Sequence, residues 1–259
     1  MAMSERAGGL TVRLAASAED LARVQRLRWR VFVEEMGASG DAGGSGLETD
    51  TYDAYCDHLM VVATDPATGA EQVVGTYRLL REHIAQRRDG FYTAREFDLG
   101  PLVKGRRGTG QLLELGRSCV LPEYRTSHTI SLLWRGISLY AAQHGVSSLF
   151  GCASFPGTDP AVHAAGLSYL AHRFLAPNRL RPTVRAGLGV PLEQLVRGSY
   201  DERRALMSLP PLVKGYLRTG AMFGDGAYVD HVFGTIDVCV VLPLAQLTER
   251  YAARFHVAA

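Results

Sequence analysis

Arg28 and Phe32, Asp50 and Asp53, Arg78, and Glu114 with Arg117 place polar groups where a protein core prefers apolar ones. Arginine suits planar anions, so Arg28, Arg78 and Arg117 could pair the acids or clamp the carboxylate of a small molecule. Glu114 stands inside an apolar run, Gln111 to Val120, either as a structural partner of Arg117 or as a proton acceptor. On an ideal strand two residues three apart face opposite sides, but Gly116 between them predicts a β-bulge that would bring both to one face. Asp50 and Asp53 fall in a stretch from Ala38 to Tyr55 that is rich in Gly, Ser and Asp and lacks any period. They read as solvated turn residues or as acids that organise a site, and the length of the loop favours a functional role.

Other chemistries lack their patterns. There is no G-x-x-x-x-G-K-[ST] phosphate loop, and Gly116-Arg-Ser-Cys-Val120 misses the second glycine of a hydrolase elbow, so Ser118 reads as structural. None of the eight histidines begins an H-x-x-x-x-D or H-x-x-x-H motif. The four cysteines, Cys56, Cys119, Cys152 and Cys239, are scattered without C-x-x-C pairing and read as buried free thiols of a reducing cytoplasm.

The elements that must position these groups follow from periodicity. Ser17 with Asp20 resembles a capping box, and Leu21, Val24, Leu27 and Val31 form an apolar stripe, which predicts a helix over 18–36. His58–Thr64 and Gln72–Arg81, joined by Asp65-Pro-Ala-Thr-Gly69, predict a β-hairpin. A strand over 111–120, an amphipathic helix from Ser127 to His144-Gly145, and a buried strand over 146–155 form one βαβ unit. A helix from Asp159-Pro160 to about Phe174, an arginine-punctuated stretch, an apolar strand near 228–242 and a helix over 245–254 complete the chain. The class is mixed α/β.

With 259 residues, 47% hydrophobic, the chain can bury one large core, and a net charge of +2 gives no reason to expect nucleic acid. Residues 1–10 are polar without an apolar core segment and are expected to be disordered. No stretch has the length of a membrane span, so a cytoplasmic protein is expected.

The order Arg-x-x-x-Phe at 28–32, Asp-x-x-Asp at 50–53, Arg78-Leu-Leu80 and Glu114-x-x-Arg117 resembles the acyl-homoserine lactone synthases, GNAT-fold enzymes that use acyl carrier protein thioesters. One departure is Ala38, where those synthases usually carry Trp. Further motifs in order are similar to the ornithine N-acyltransferases of ornithine-lipid synthesis: Glu114-Leu-Gly-Arg-Ser-Cys-Val120, Tyr124-Arg125, Leu133-Trp-Arg-Gly-Ile137, Gly151-Cys-Ala-Ser-Phe155, and Pro211-Leu-Val-Lys-Gly-Tyr-Leu-Arg218 before Gly220-Ala221. That likeness spans residues 11–255.

The resemblance implies a single GNAT-like domain: a core of 11–156 with a mixed sheet splayed at the βαβ unit, and a helical and strand elaboration over 157–255. It implies transfer of a 3-hydroxyacyl group from acyl carrier protein to the α-amine of L-ornithine, giving lyso-ornithine lipid, with no metal or cofactor. Glu114, Arg117, Asp50 and Asp53 are then the catalytic candidates, and Arg28, Phe32, Arg78, Trp134 and Ser154 the substrate-binding ones. Trp134 also lies on the apolar helix face, where a core role is the simpler reading. The stretch Tyr124–Thr129 lacks the glycines that cradle a nucleotide pyrophosphate, which favours carrier protein over coenzyme A. Arg173, Arg179 and Arg181 are candidates for docking that acidic partner, or an ordinary solvated basic face. Peripheral contact with the inner membrane leaflet fits a lipid product. The alternatives are a synthase of a diffusible signal or of another N-acyl amino acid, and a non-catalytic carrier-protein or lipid-binding module.

Overall fold

The computed structural model describes residues 4–7, 9–39, 44–105 and 110–247. The first half carries β1 (Ser4–Ala7), β2 (Leu10–Leu14), α1 (Ala18–Arg28), β3 (Asp57–Thr64), β4 (Glu71–Arg81), α2 (Glu82–Ala85), β5 (Phe97–Asp98), α3 (Gly100–Gly105) and β6 (Gln111–Val120). Then come α4 (Ser127–Gln143), β7 (Val146–Pro156), α5 (Ala164–Phe174), β8 (Thr183–Val184), β9 (Gly189–Val190), α6 (Glu202–Ser208), α7 (Pro211–Thr219), β10 (Met222–Phe223), β11 (Ala227–Asp230) and β12 (Thr235–Pro243). The main sheet runs β1-β2-β3-β4-β6-β7-β12-β11-β9, with β10 also on β12, and only β6 and β7 pair in parallel within it. The fold is the expected mixed α/β GNAT-like one, and beyond residue 157 β9 to β12 extend the same sheet, while β8 pairs with β5 in a separate two-stranded one.

Local chemistry accounts for the elements. Ser17 Oγ accepts from the Asp20 amide at 3.1 Å and caps α1, while Asp20 turns back to the Ala16 amide and to Arg13. The helical run expected over 18–36 widens after Arg28 into a π-helical turn, Trp29–Glu35. The β3–β4 turn closes on Asp65, whose carboxylate accepts from the amides of Ala67 and Thr68. Gly136 lets α4 approach the sheet closely, since a Cβ there would lie 2.9 Å from side-chain atoms of Leu59 and Val12. The helix from Asp159-Pro160 begins as a 3₁₀ turn before α5.

Three expectations are corrected. Ser4–Ala7, expected to be disordered, pairs antiparallel with β2. The single strand expected over 228–242 is a hairpin: the Asp230 carboxylate accepts from the amides of Val232 and Phe233 at 2.7 and 2.9 Å, and Gly234 takes a left-handed φ of 65°, so the chain reverses between β11 and β12. Of the helix expected over 245–254, Leu244–Gln246 is a 3₁₀ turn and residues from 248 on lie outside the described ones.

Each face of the sheet has its own core. Leu113 and Leu115 of β6 and Leu149 of β7 join a cluster with α1, α4, α5 and α7, whereas Leu112, Phe150, Cys239 and Val241 join a second cluster with Phe91, Phe97 and Leu102. Strand alternation places Glu114, Cys152, Ser154 and Asp237 on that second face. Cross-strand rows run Phe150–Val241, Cys152–Cys239 and Ser154–Asp237. The face is thus apolar at one end of the strands and polar at the other.

Candidate active site

Parallel pairing between β6 and β7 stops at the Glu114–Phe150 row; beyond it β6 continues with β4, and β7 with β12. This is the expected splay. At its apex Gly151 approaches the Leu115 carbonyl so closely that a Cβ would sit 2.1 Å from that oxygen. The expected bulge is present in β6: Thr76 pairs with Cys119 and Arg78 with Gly116, so Tyr77 faces two residues, and Arg117 takes φ 49°. The bulge turns Glu114, Gly116 and Arg117 toward one cavity of about 240 Å³ at the mouth of the splay.

Phe32, Arg78, Glu114, Arg117 and Ser154 line this cavity together with Tyr92, Glu96, Phe233 and Asp237. Glu114 is 4% exposed, and its two oxygens accept the backbone N–H groups of Tyr92 (2.9 Å) and Thr93 (2.6 Å). Burial pushes its carboxyl above the ordinary range, opposed by those amides. Glu114 makes no ion pair with Arg117. Phe32 sits edge-on to Phe233, and the Arg117 guanidinium lies over the rings of Tyr92 (4.7 Å) and Phe233 (4.8 Å).

Arg117 turns instead to Glu48 (3.1 Å) and Asp50 (3.0 Å). Arg78 bonds Asp50 (2.6 Å) and Asp53 (3.1 Å), and the fully buried Arg28 bonds Asp53 (2.8 Å) and Glu48. Asp50 and Asp53 also cap each other's backbone across the turn Thr51–Ala54, and Gln25 donates to Asp53 at 2.9 Å. Burial pushes both carboxyls up, but the arginines outweigh it and hold Asp50 below its ordinary range and Asp53 at about 2. Both acids and Arg28 were expected in the site. The structure places them behind it, because three acids and three arginines neutralise one another and brace the two cations, Arg78 and Arg117, that reach the cavity.

Trp134 is likewise not among the lining residues; it is buried edge-on against Tyr216, ring centroids 5.8 Å apart, as a helix-face residue packed on the sheet. The basic stretch is partly committed: Arg173 is bidentate to Glu202, Arg181 donates to the Ala176 carbonyl at 2.7 Å, and Arg179 is exposed.

Sequence reasoning missed a second set of acids. Glu96, Asp230 and Asp237 all line the cavity and are buried, with oxygens within 4.8 Å of one another, the one such group among the described residues that could hold a cation. Burial and then the charge of Asp237 push Glu96 to about 8; burial pushes Asp237 to about 6 against the Ser154 and Thr235 hydroxyls. Cys152 donates its thiol to Glu96 at 3.1 Å, and burial raises its pKa well above normal, so it stays a thiol and is no nucleophile.

Comparison with known proteins agrees with this fold. Residues 27–135 match the acetyltransferase (GNAT) domain family. The acyl-homoserine lactone synthase LasI shares the fold at a TM-score of 0.52, with 13% identity and 96% of both chains covered. TofI, solved with an inhibitor and MTA, matches at 0.50, with 16% identity over 95% of this chain and 97% of its own. The L-ornithine N(alpha)-acyltransferase of Rhizobium meliloti (strain 1021) is 47% identical over 95% of this chain and 84% of its own, and that of Agrobacterium fabrum 45% identical over 96% and 86%. That of Brucella abortus (strain 2308) is 44% identical over 96% of this chain and 90% of its own. The chain is therefore an N-acyltransferase and belongs to the L-ornithine N(alpha)-acyltransferase family.

Proposed function

We propose that this enzyme moves a 3-hydroxyacyl group from the thioester of acyl carrier protein to the α-amine of L-ornithine, giving lyso-ornithine lipid and free carrier thiol. The observation that carries the reading is a cavity at the mouth of the β6–β7 splay that joins a buried carboxylate, Glu114, to two arginines, in a chain whose relatives along most of its length are named for this acceptor. The splay leaves β6 and β7 unpaired with each other beyond Glu114, a slot in which an extended thioester arm can lie.

In the reaction Glu114, directly or through one water, takes a proton from the α-ammonium. The freed amine attacks the thioester carbonyl carbon, and donors facing the oxyanion stabilise the tetrahedral intermediate. The C–S bond then breaks, the thiolate is protonated, and the amide sheds its second proton. The raised pKa of Glu114 suits proton abstraction from an amine better than an ordinary carboxylate would. Arg78 and Arg117, braced by the loop acids, hold the acceptor carboxylate, and Ser154 and Phe32 border it. No covalent enzyme intermediate and no metal or redox group is needed; register of amine and thioester supplies much of the rate.

Carrier protein is favoured as donor because α4 is capped by its own Thr126, whose hydroxyl accepts from Thr129, with Arg125 beside it tied to Glu35. Arg179, with Arg173 and Arg181 near it in sequence, is the proposed dock. No helix among the described residues is long and apolar enough to cross a membrane. Exposed Leu206 and Met207 beside Arg203 and Arg204 on α6 suit peripheral contact with an anionic inner leaflet from a cytoplasmic enzyme.

The test is incubation with 3-hydroxypalmitoyl carrier protein and a panel of amino acids, following thiol release and identifying the amide by mass. An ornithine-dependent product is expected, and release only with another amino acid overturns the acceptor. Glu114→Gln should lower kcat by about 100-fold with a smaller change in the KM for ornithine; an unchanged kcat removes Glu114 as the base.

A further inference from the structure

The second set of acids gathers three buried carboxylates on one wall of the cavity without an arginine or lysine paired to them among the described residues. Glu96 follows the turn Tyr92–Arg95, Asp230 ends β11 and Asp237 lies on β12. They are 4%, 5% and 6% exposed. Asp230 Oδ1 accepts two backbone amides, and Asp237 accepts the hydroxyls of Thr235 (3.0 Å) and Ser154. Glu96 Oε2 receives the Cys152 thiol, and its other oxygen has no donor among the described residues.

The titratable groups around Glu96 are Asp230, Asp237, Glu114 of β6, the thiols of Cys152 on β7 and Cys239 on β12, and the phenols of Tyr92 and Tyr228. Among the described residues no lysine or arginine pairs with any of the three acids, and Arg117, whose field reaches Asp237, is already held by Glu48 and Asp50. Buried carboxylates without a cation are costly, and the cost is met when a cation enters the space they face. That space is the cavity already described. The other polar groups of the cavity suffice for an α-amine and an α-carboxylate; the wall acids are left over.

We propose that Glu96, Asp230 and Asp237 receive the side-chain ammonium of the acceptor amino acid and thereby select a diamino acid over its uncharged analogues. The assignment rests on the reading of this enzyme as an ornithine acyltransferase. An ammonium with three hydrogens can donate to three carboxylate oxygens at once, which suits oxygens this close together. Its entry also offsets the burial and the neighbouring Asp237 charge that push Glu96 up to about 8.

The experiment compares L-ornithine with L-norvaline, the same chain lacking the distal amine, as acceptors for 3-hydroxypalmitoyl carrier protein. The native enzyme should prefer ornithine by at least about 100-fold in kcat/KM, because the analogue leaves buried charge unmatched. In Glu96→Gln and Asp237→Asn the preference should collapse toward unity, with the loss for ornithine carried by KM. Preference that survives both substitutions overturns the proposal. So does preference abolished by EDTA and restored by Mg²⁺ or Ca²⁺, which would make a metal ion the cation of the wall.

A second readout needs no variant. At pH 7 Glu96 is largely protonated, so ornithine binding should release a proton that norvaline binding does not, seen by calorimetry in buffers of different ionisation enthalpy. Equal proton release overturns the assignment. A preparation that releases thiol with neither amino acid fails the proposed reaction and leaves the wall to calorimetry, where ornithine binding with proton release upholds it and absence of binding overturns it.

Discussion

Glu48, Asp50 and Asp53 of the long loop meet Arg28, Arg78 and Arg117, whereas Glu96, Asp230 and Asp237 of the cavity wall meet hydroxyls, amides and a thiol. Residue types are alike in the two sets, and Asp53 is as buried as the wall acids; the partners differ. The arginines hold Asp50 and Asp53 charged and make the loop acids part of the frame. Buried without a cation, Glu96 and Asp237 are pushed up, and the wall waits on something from outside the chain. A buried carboxylate is therefore informative about function mainly through what it lacks.

The contrast breaks most visibly through stability. Asp53→Ala leaves the fully buried Arg28 with Glu48 alone and weakens the brace on Arg78, and should cost about 3–5 kcal/mol in urea unfolding, whereas Asp237→Asn should cost little or stabilise. Equal losses at the two positions would erase the distinction.

Next in size is the pH response, which should have opposite signs in the two sets. Asp53, held at about 2, contributes stability that is present above its ordinary pKa and lost as pH falls toward 2. Glu96, raised to about 8, contributes stability that is present at low pH and lost as pH rises from its ordinary pKa through 8, by about 1 kcal/mol per pH unit. Urea midpoints at pH 5 and pH 8 should show that fall in the native chain and a flatter profile in Glu96→Gln.

The smallest effect concerns the basic surface, where pairing again decides. Arg173 is spent on Glu202, so Arg173→Ala should leave the KM for carrier protein unchanged, while Arg179→Glu should raise it by about threefold at low salt. The reverse ranking would move the dock.

Much of the frame was legible. The hairpin β3–β4, strand β6, helix α4 and strand β7 lie within a residue or so of their expected bounds, because turn chemistry at Asp65–Gly69, the apolar stripe of α4 and the His144-Gly145 stop are local signals. The π-helical widening after Arg28 has no local signal. Asp50 and Asp53 stood out correctly as unusual, yet their role depended on arginines that are adjacent only in the fold. Asp237 was within reach: it is the single acid of an apolar run, Thr235–Pro243, the same signature that drew attention to Glu114. Glu96 was not, because its burial depends on Tyr92 and Thr93 anchoring their turn on Glu114 through backbone amides.

The reversal at Asp230–Gly234 has a consequence for how such an enzyme could change its trade. Two of the wall acids flank one short hairpin, β11–β12, outside the stretch 27–135 that matches the acetyltransferase family, while Glu114, Arg78 and Arg117 lie inside it. In the proposed assignment the groups that make the amide lie in one segment of chain and two of the three acids that read the incoming side chain lie in another, joined along the β7–β12 pairing, with Glu96 alone in the first. A graft confined to residues 227–243 should exchange one customer for another without rebuilding the workshop.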